Sequence, residues 1–177
     1  MKLFKVRLQE SAKAHGLTLP VIERDYIQSY ILAGIAARPA LKDSIIFKGG
    51  TALKKIHFKI YRFSEDLDFS AVGAPTGDEL ERELREAVAA ARQMVREHAD
   101  IELTVERYRE RDEHPGGQEA FTISVKYPWH PRPLVNIKLE ITHDEPVLLP
   151  QQLLPITHGY EEALDTAIAS YALEEIG

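Results

Sequence analysis
The stretch FKGGTALKKIHFKIYRFSEDLDFS, residues 47–70, governs how the rest of the chain is read. The apolar run SIIF (44–47) leads straight into Lys48-Gly49-Gly50-Thr51, which predicts a short buried strand entering a tight turn. A short helical piece, ALKKIH, follows. At the far end, YRFSEDLDFS (61–70) sets Phe63, Leu67 and Phe69 on one face and Arg62, Ser64, Asp66 and Asp68 on the other. That is the period of two of a β-strand, broken only by Glu65. Aspartates at i and i+2 of a strand share a face, with Cα atoms roughly 7 Å apart. From there both carboxylates can converge on one hard cation, Mg²⁺ or Mn²⁺.

An Asp-x-Asp pair alone is a weak signal, and its setting gives it weight. The glycines at 49 and 50 allow backbone N–H groups to approach phosphate oxygens with no Cβ in the way, and Thr51 is expected to begin a helix whose N-terminus favours anions. Between Lys48 and Arg62 stand five basic residues, Lys48, Lys54, Lys55, Lys59 and Arg62, and no acid. Such a run suits a phosphate-binding surface. No GxxxxGK[ST] string is present, so the phosphate reading rests on the loop, the helix start and the basic run together. Transfer of a phosphoryl-linked group needs close backbone approach, cations and metal-binding carboxylates, and this stretch offers all three.

Outward from it, ERDYIQSYILAGIAA carries Ile27, Ile31 and Ile35 at i+4 spacing with Leu32 beside them, so about the first 40 residues are expected to be helical packing. After a turn-rich break at 73–77, Asp78 is expected to cap a helix bearing Leu80, Leu84, Ala87, Val88, Ala91 and Val95, with a solvated face of Glu81, Arg82, Arg85 and Arg92. IELTVERYR, AFTISVKY and LVNIKLEIT then predict an antiparallel meander. In the last of these Val135, Ile137, Leu139 and Ile141 face one way, and Asn136, Lys138 and Glu140 the other. Glu140 can supply a third metal-binding carboxylate if its strand lies near 62–70, and Lys138 on the same face could touch phosphate or pair with an aspartate. Residues 146–155 read as a loop, and 161–177 as a helical or strand-to-helix segment. The histidines at 57, 114, 130, 143 and 158 lack metal-ligand spacing, and Trp129 reads as a packing anchor.

Composition narrows the classes. With 177 residues and 44% hydrophobic content, one core domain over 1–177 is expected. Net charge of −6 means that any nucleic acid must meet a local basic patch. The absence of cysteine excludes disulfides, a thiol nucleophile and Cys-ligated zinc. MKLFKVRLQE has no signal-peptide core, and no apolar run approaches the roughly 18 residues of a membrane span, so a soluble cytoplasmic protein is expected.

With these residues in place, the chain resembles the AbiEii/AbiGii abortive-infection and MenT nucleotidyltransferase toxins. The signature K-G-G-T-x-L is met by residues 48–53, and R-F-S-x-D-L-D-F by residues 62–69; the likeness extends to ERDY, IKLEIT (137–142) and EPVLLP (145–150). The resemblance implies an α+β, polymerase-β-like nucleotidyltransferase fold, a mixed sheet flanked by helices. It implies that Gly49, Gly50 and Thr51 hold the triphosphate, that Ser64 is the motif serine, and that Asp66 and Asp68 bind metal. It further implies transfer of a nucleoside monophosphate from an NTP to an acceptor, tRNA in MenT-like members, within a toxin–antitoxin or phage-defence system with a cognate antitoxin. The family pattern continues past ASYALEEIG into E-K-L-x-A-L and R-D-x-x-D, so the chain reads as C-terminally truncated and weak or inactive alone. Two rivals remain at this point: a non-catalytic nucleotide-binding or interaction remnant of the family, and a metal-dependent phosphodiesterase, against which the Gly-Gly-Thr loop argues.

Overall fold
A computed structural model describes residues 3–52, 55, 65–108, 117–143, 146 and 151–171. Helix α1 (Phe4–His15) is followed by α2 (Leu19–Ala36), the short α3 (Pro39–Lys42) and strand β1 (Ile45–Lys48). Next come α4 (Gly49–Ala52), β2 (Leu67–Ala71) and α5 (Gly77–Val95). The remaining strands are β3 (Glu102–Arg107), β4 (Gln118–Lys126), β5 (Val135–Thr142), β6 (Gln152–Pro155) and β7 (Ala167–Ser170). Together they build a mixed α+β arrangement around one seven-stranded sheet, ordered β3-β4-β5-β2-β1-β7-β6. The pairs β2–β5 and β1–β7 are parallel and the others antiparallel.

Alternation in the strands explains the layering. Leu103 and Val105 of β3, Phe121, Ile123 and Val125 of β4, and Val135, Ile137, Leu139 and Ile141 of β5 all enter one core. Helices α2 and α5 share that core, so one sheet face is covered while the face bearing Thr122, Asn136, Lys138 and Glu140 stays polar. Helix α2 is buried almost all round, which its long apolar run foreshadows. It meets α5 backbone to backbone at Gly34, where an added Cβ would stand 2.1 Å from the Ala87 carbonyl oxygen. Helix α5 buries Leu80, Leu84, Ala87, Val88, Ala91 and Val95, the stripe expected from its spacing.

Several boundaries differ from the sequence reading. Thr76, not Asp78, stands at the N-cap of α5; Asp78 lies in the first turn, where its charge complements the helix dipole. The loop expected over 146–155 contains β6, and the segment read as helical or strand-to-helix contains β7, with no helix among its described residues. These two strands are made by non-local pairing: β7 lies parallel beside β1 and offers its other edge to β6, whose closing Pro155 is tolerated at a sheet edge. The strand expected over 61–70 is described from Leu67 onward, with Glu65 and Asp66 leading into it as irregular backbone. Residues 1–2, 53–54, 56–64, 109–116, 144–145, 147–150 and 172–177 lie outside the described residues, and so does most of the helix expected over ALKKIH.

Candidate functional site
Three strands position the site. Parallel pairing of β2 with β5 sets Asp68 opposite Glu140, and antiparallel pairing of β1 with β2 sets Lys48 opposite Asp68. Residues paired across neighbouring strands point to the same face, so these side chains project together from the polar side of the sheet. Asp66, two residues earlier, is exposed at the mouth of the same face.

The glycine turn is built against the acids. Gly49 has φ of 81°, in the left-handed region that favours glycine, and a Cβ there would lie 2.7 Å from Asp68 Oδ2. The helical turn α4 begins at Gly49 rather than at Thr51. Thr51 is buried and its hydroxyl donates to the Asp66 carbonyl oxygen, tying the turn to the entry of β2. From the covered side, Gln28 Nε2 donates to the Glu65 carbonyl at 3.1 Å, and Arg24 approaches the Glu65 carboxylate at 3.7 Å. On the far side of β1, the Tyr171 hydroxyl donates to Ser70 Oγ at 2.7 Å.

Crowded carboxylates disturb one another. Burial, reinforced by Glu140 and Asp66, pushes the Asp68 carboxyl up to about 6 against the opposing pull of Lys48. Asp66 is raised by the burial it has, with Lys138 pulling down and Glu140 and Glu65 pushing up. Glu140 is already engaged: Lys138 Nζ lies 2.6 Å from its Oε1, and Gln118 Nε2 donates to its Oε2 at 3.0 Å. The contact from Lys138 to Glu140 is the main reason the Lys138 ammonium is held above its usual range.

The donor chemistry fits a hard divalent cation: all carboxylate oxygens, and a repulsion that a cation would relieve. Among the described residues, no three acidic or histidine side chains are already gathered as a ligand cage. Asp66 and Asp68 could accept a cation directly. Glu140 would join after exchanging Lys138 for it.

Of the residues singled out in the sequence, Lys48, Gly49, Gly50, Thr51, Asp66, Asp68, Lys138 and Glu140 lie on or beside these strand ends. Arg62 and Ser64 lie outside the described residues, as do Lys54 and Lys59. Lys55 is a correction. It is 2% exposed, with Nζ 3.0 Å from Asp25 Oδ1 and donating to the Asp25 carbonyl and Ser29 Oγ, both at 2.8 Å. A buried ammonium needs such partners, so Lys55 braces α2 and does not belong to a phosphate surface. Glu23, of the ERDY string, accepts from Trp129 Nε1 at 2.7 Å and pairs with His130 at 2.9 Å, so Trp129 anchors packing. His143 pairs with Glu119 and His158 with Glu162.

Sequence reading missed the cleft beside the acids. About 370 Å³ in volume, it is lined by Asp66, Glu140, Lys138, Asn136, Thr122 and Tyr108, among others, with Gln118 at its wall. Gln118 precedes the expected strand AFTISVKY; β4 starts two residues earlier, which puts Gln118 on the outward set with Thr122. A larger hollow of about 670 Å³, between α1 and residues 159–161, lies apart from the acidic group.

A family model described as nucleotidyl transferase AbiEii toxin, type IV toxin–antitoxin system, matches residues 30–177. The chain belongs to the AbiEii family. No curated protein matches it. The AbiEii match spans the glycine turn, both aspartates and Glu140, so it covers the whole strand group that positions the site. Type IV toxin–antitoxin membership implies an antitoxin partner. No helix among the described residues is long and apolar enough to cross a membrane.

Proposed function
We propose that this AbiEii-family chain has a polymerase-β-like nucleotidyltransferase core and transfers a nucleoside monophosphate from an NTP to tRNA, as the toxin of a toxin–antitoxin, phage-defence pair. One observation carries this reading: the register that sets Asp68 beside Glu140 while the Gly49 backbone closes against the Asp68 carboxylate. A turn whose Gly49 has no Cβ, closing on the raised Asp68 carboxyl with Glu140 next to it, is suited to hold phosphate next to metal-binding oxygens.

In this account the Gly49–Thr51 turn holds the β- and γ-phosphates through backbone N–H groups, with Lys48 beside it and Arg62 and Ser64 assigned by family likeness. Asp66 and Asp68 hold Mg²⁺ or Mn²⁺, with Glu140 as third ligand or as base. Bound there, the cation would neutralise phosphate oxygens and draw charge from the α-phosphorus. An acceptor hydroxyl oxygen bonds to the α-phosphorus, the α–β phosphoanhydride breaks, and pyrophosphate leaves with that electron pair. The hydroxyl proton passes to a Glu140 oxygen once Lys138 has turned away, and Lys138 then faces phosphate. The positions of Lys48 and Lys138 on either side of the acids support a role in charge balance.

The test is incubation of the full-length protein with each α-labelled NTP, Mg²⁺ and total tRNA. Label entering RNA, and lost on chelation, is the expected result; label released without RNA addition would contradict it. One observation favours a second reading, nucleotide binding without transfer: both Glu140 oxygens are already engaged. That reading predicts saturable NTP binding and no labelled RNA.

A further inference from the structure
The two sides of the acidic group differ chemically. The glycine turn meets Asp68 from β1, whereas the cleft opens beyond Glu140, over β5 and β4. Lys138 is the single lysine or arginine among the described residues lining that cleft, and it is paired with Glu140. Facing Glu65, Asp66 and Glu140, a polyphosphate would be repelled there.

The remaining wall is uncharged and able to hydrogen-bond. Gln118 gives its amino group to Glu140, which leaves its Oε1 as an acceptor. Asn136 accepts from Ser124 Oγ at 3.1 Å through Oδ1, which leaves its amino group as a donor. Thr122 stands across from Lys138 in the β4–β5 register, and the ring of Tyr108, 54% exposed, stands at the rim. An amide donor, an amide acceptor and an aromatic face are the groups that read and stack an unpaired base. The volume, about 370 Å³, falls in the range of small-molecule sites.

We propose that this cleft binds the 3′-terminal nucleoside of the acceptor RNA and presents its hydroxyl towards Asp66 and Glu140. The proposal rests on the nucleotidyltransferase reading and adds to it an acceptor subsite, on the opposite side of the acids from the triphosphate turn. Thr122 and Asn136 are its specificity residues.

The experiment compares binding of intact unfractionated tRNA with the same tRNA shortened by one 3′ nucleoside, alongside α,β-methylene analogues of the four NTPs. Wild type is expected to prefer intact tRNA by about tenfold, the scale of one stacked base. Thr122→Trp, which fills the cleft, and Asn136→Leu, which removes the amide, should each bring that ratio close to one while still binding an analogue. A ratio that persists in both variants overturns the subsite, as does a wild type that does not distinguish the two RNAs. Loss of analogue binding with the tRNA ratio intact also overturns it, assigning the cleft to the donor base and leaving the nucleotidyltransferase reading in place. A wild type that binds no analogue removes that reading and the subsite with it.

Discussion

Gly49 and Asp68 constrain each other. Gly49→Ala brings a methyl group to 2.7 Å from Asp68 Oδ2 at a backbone φ of 81°, so strain and overlap add. We expect a loss of about 1–3 kcal/mol in urea unfolding, together with loss of transfer. Asp68 itself should show a trade-off. Its folded carboxyl is raised to about 6 from an ordinary 3.8, so the ionised form burdens the fold above pH 6, and that burden is relieved as pH falls towards 3.8. Asp68→Asn should therefore raise the melting temperature at neutral pH in a metal chelator while abolishing transfer; an unchanged or lower value would contradict the crowding described. The alternation of polar and apolar residues was enough to place Asp68 and Glu140 on polar strand faces, because the strand period is written in the residues themselves; Asp66 stands in irregular backbone just before β2, where that period does not apply. Alternation could not supply the register that makes Asp68 and Glu140 neighbours, which depends on chain segments about 70 residues apart. Lys55 was misread for a related reason: a run of charges along the sequence does not reveal which of them folds inward against Asp25.

At the level of elements, α2 carries the site from behind. Lys55→Met would leave Asp25 buried without its cation, and we expect a cost of about 3–5 kcal/mol by chemical denaturation, where a mere surface lysine would cost almost nothing. Gly34→Val would force α2 and α5 apart at the Ala87 carbonyl, and a drop in melting temperature without change in the Mg²⁺ dependence of residual activity is expected. The strongly periodic elements, α5 and the β3-β4-β5 meander, were legible because each buries a whole stripe or face. Strand β6 was not, and β7 was legible only as one of two alternatives, since each is four residues long and β7 is fixed by pairing with the distant β1 before β6 can pair with it.

Across the molecule, Glu162 ties distant segments together. It accepts from Arg7 of α1 at 2.9 Å and from Tyr26 of α2 at 3.0 Å, with His158 beside it at 3.3 Å. Burial would raise its carboxyl, but the hydrogen bonds from His158 and Tyr26 win and hold it down at about 2, below an ordinary 4.5. A depressed folded pKa contributes stability that is complete above 4.5 and lost as pH falls towards 2. Glu162→Gln should accordingly flatten the acid limb of a stability–pH curve over that window, and an acid limb as steep as wild type would count against this network. The proposed function turns on one chemical point, that Asp66 and Asp68 would be the carboxylates at which nucleotide transfer occurs. The most direct measurement is the rate at which labelled NTP enters total tRNA with Mg²⁺, for wild type and for Asp66→Asn of equal folded content. The rate is expected to fall about a hundredfold or more in the variant, and equal labelling by the two proteins would remove Asp66 from the site.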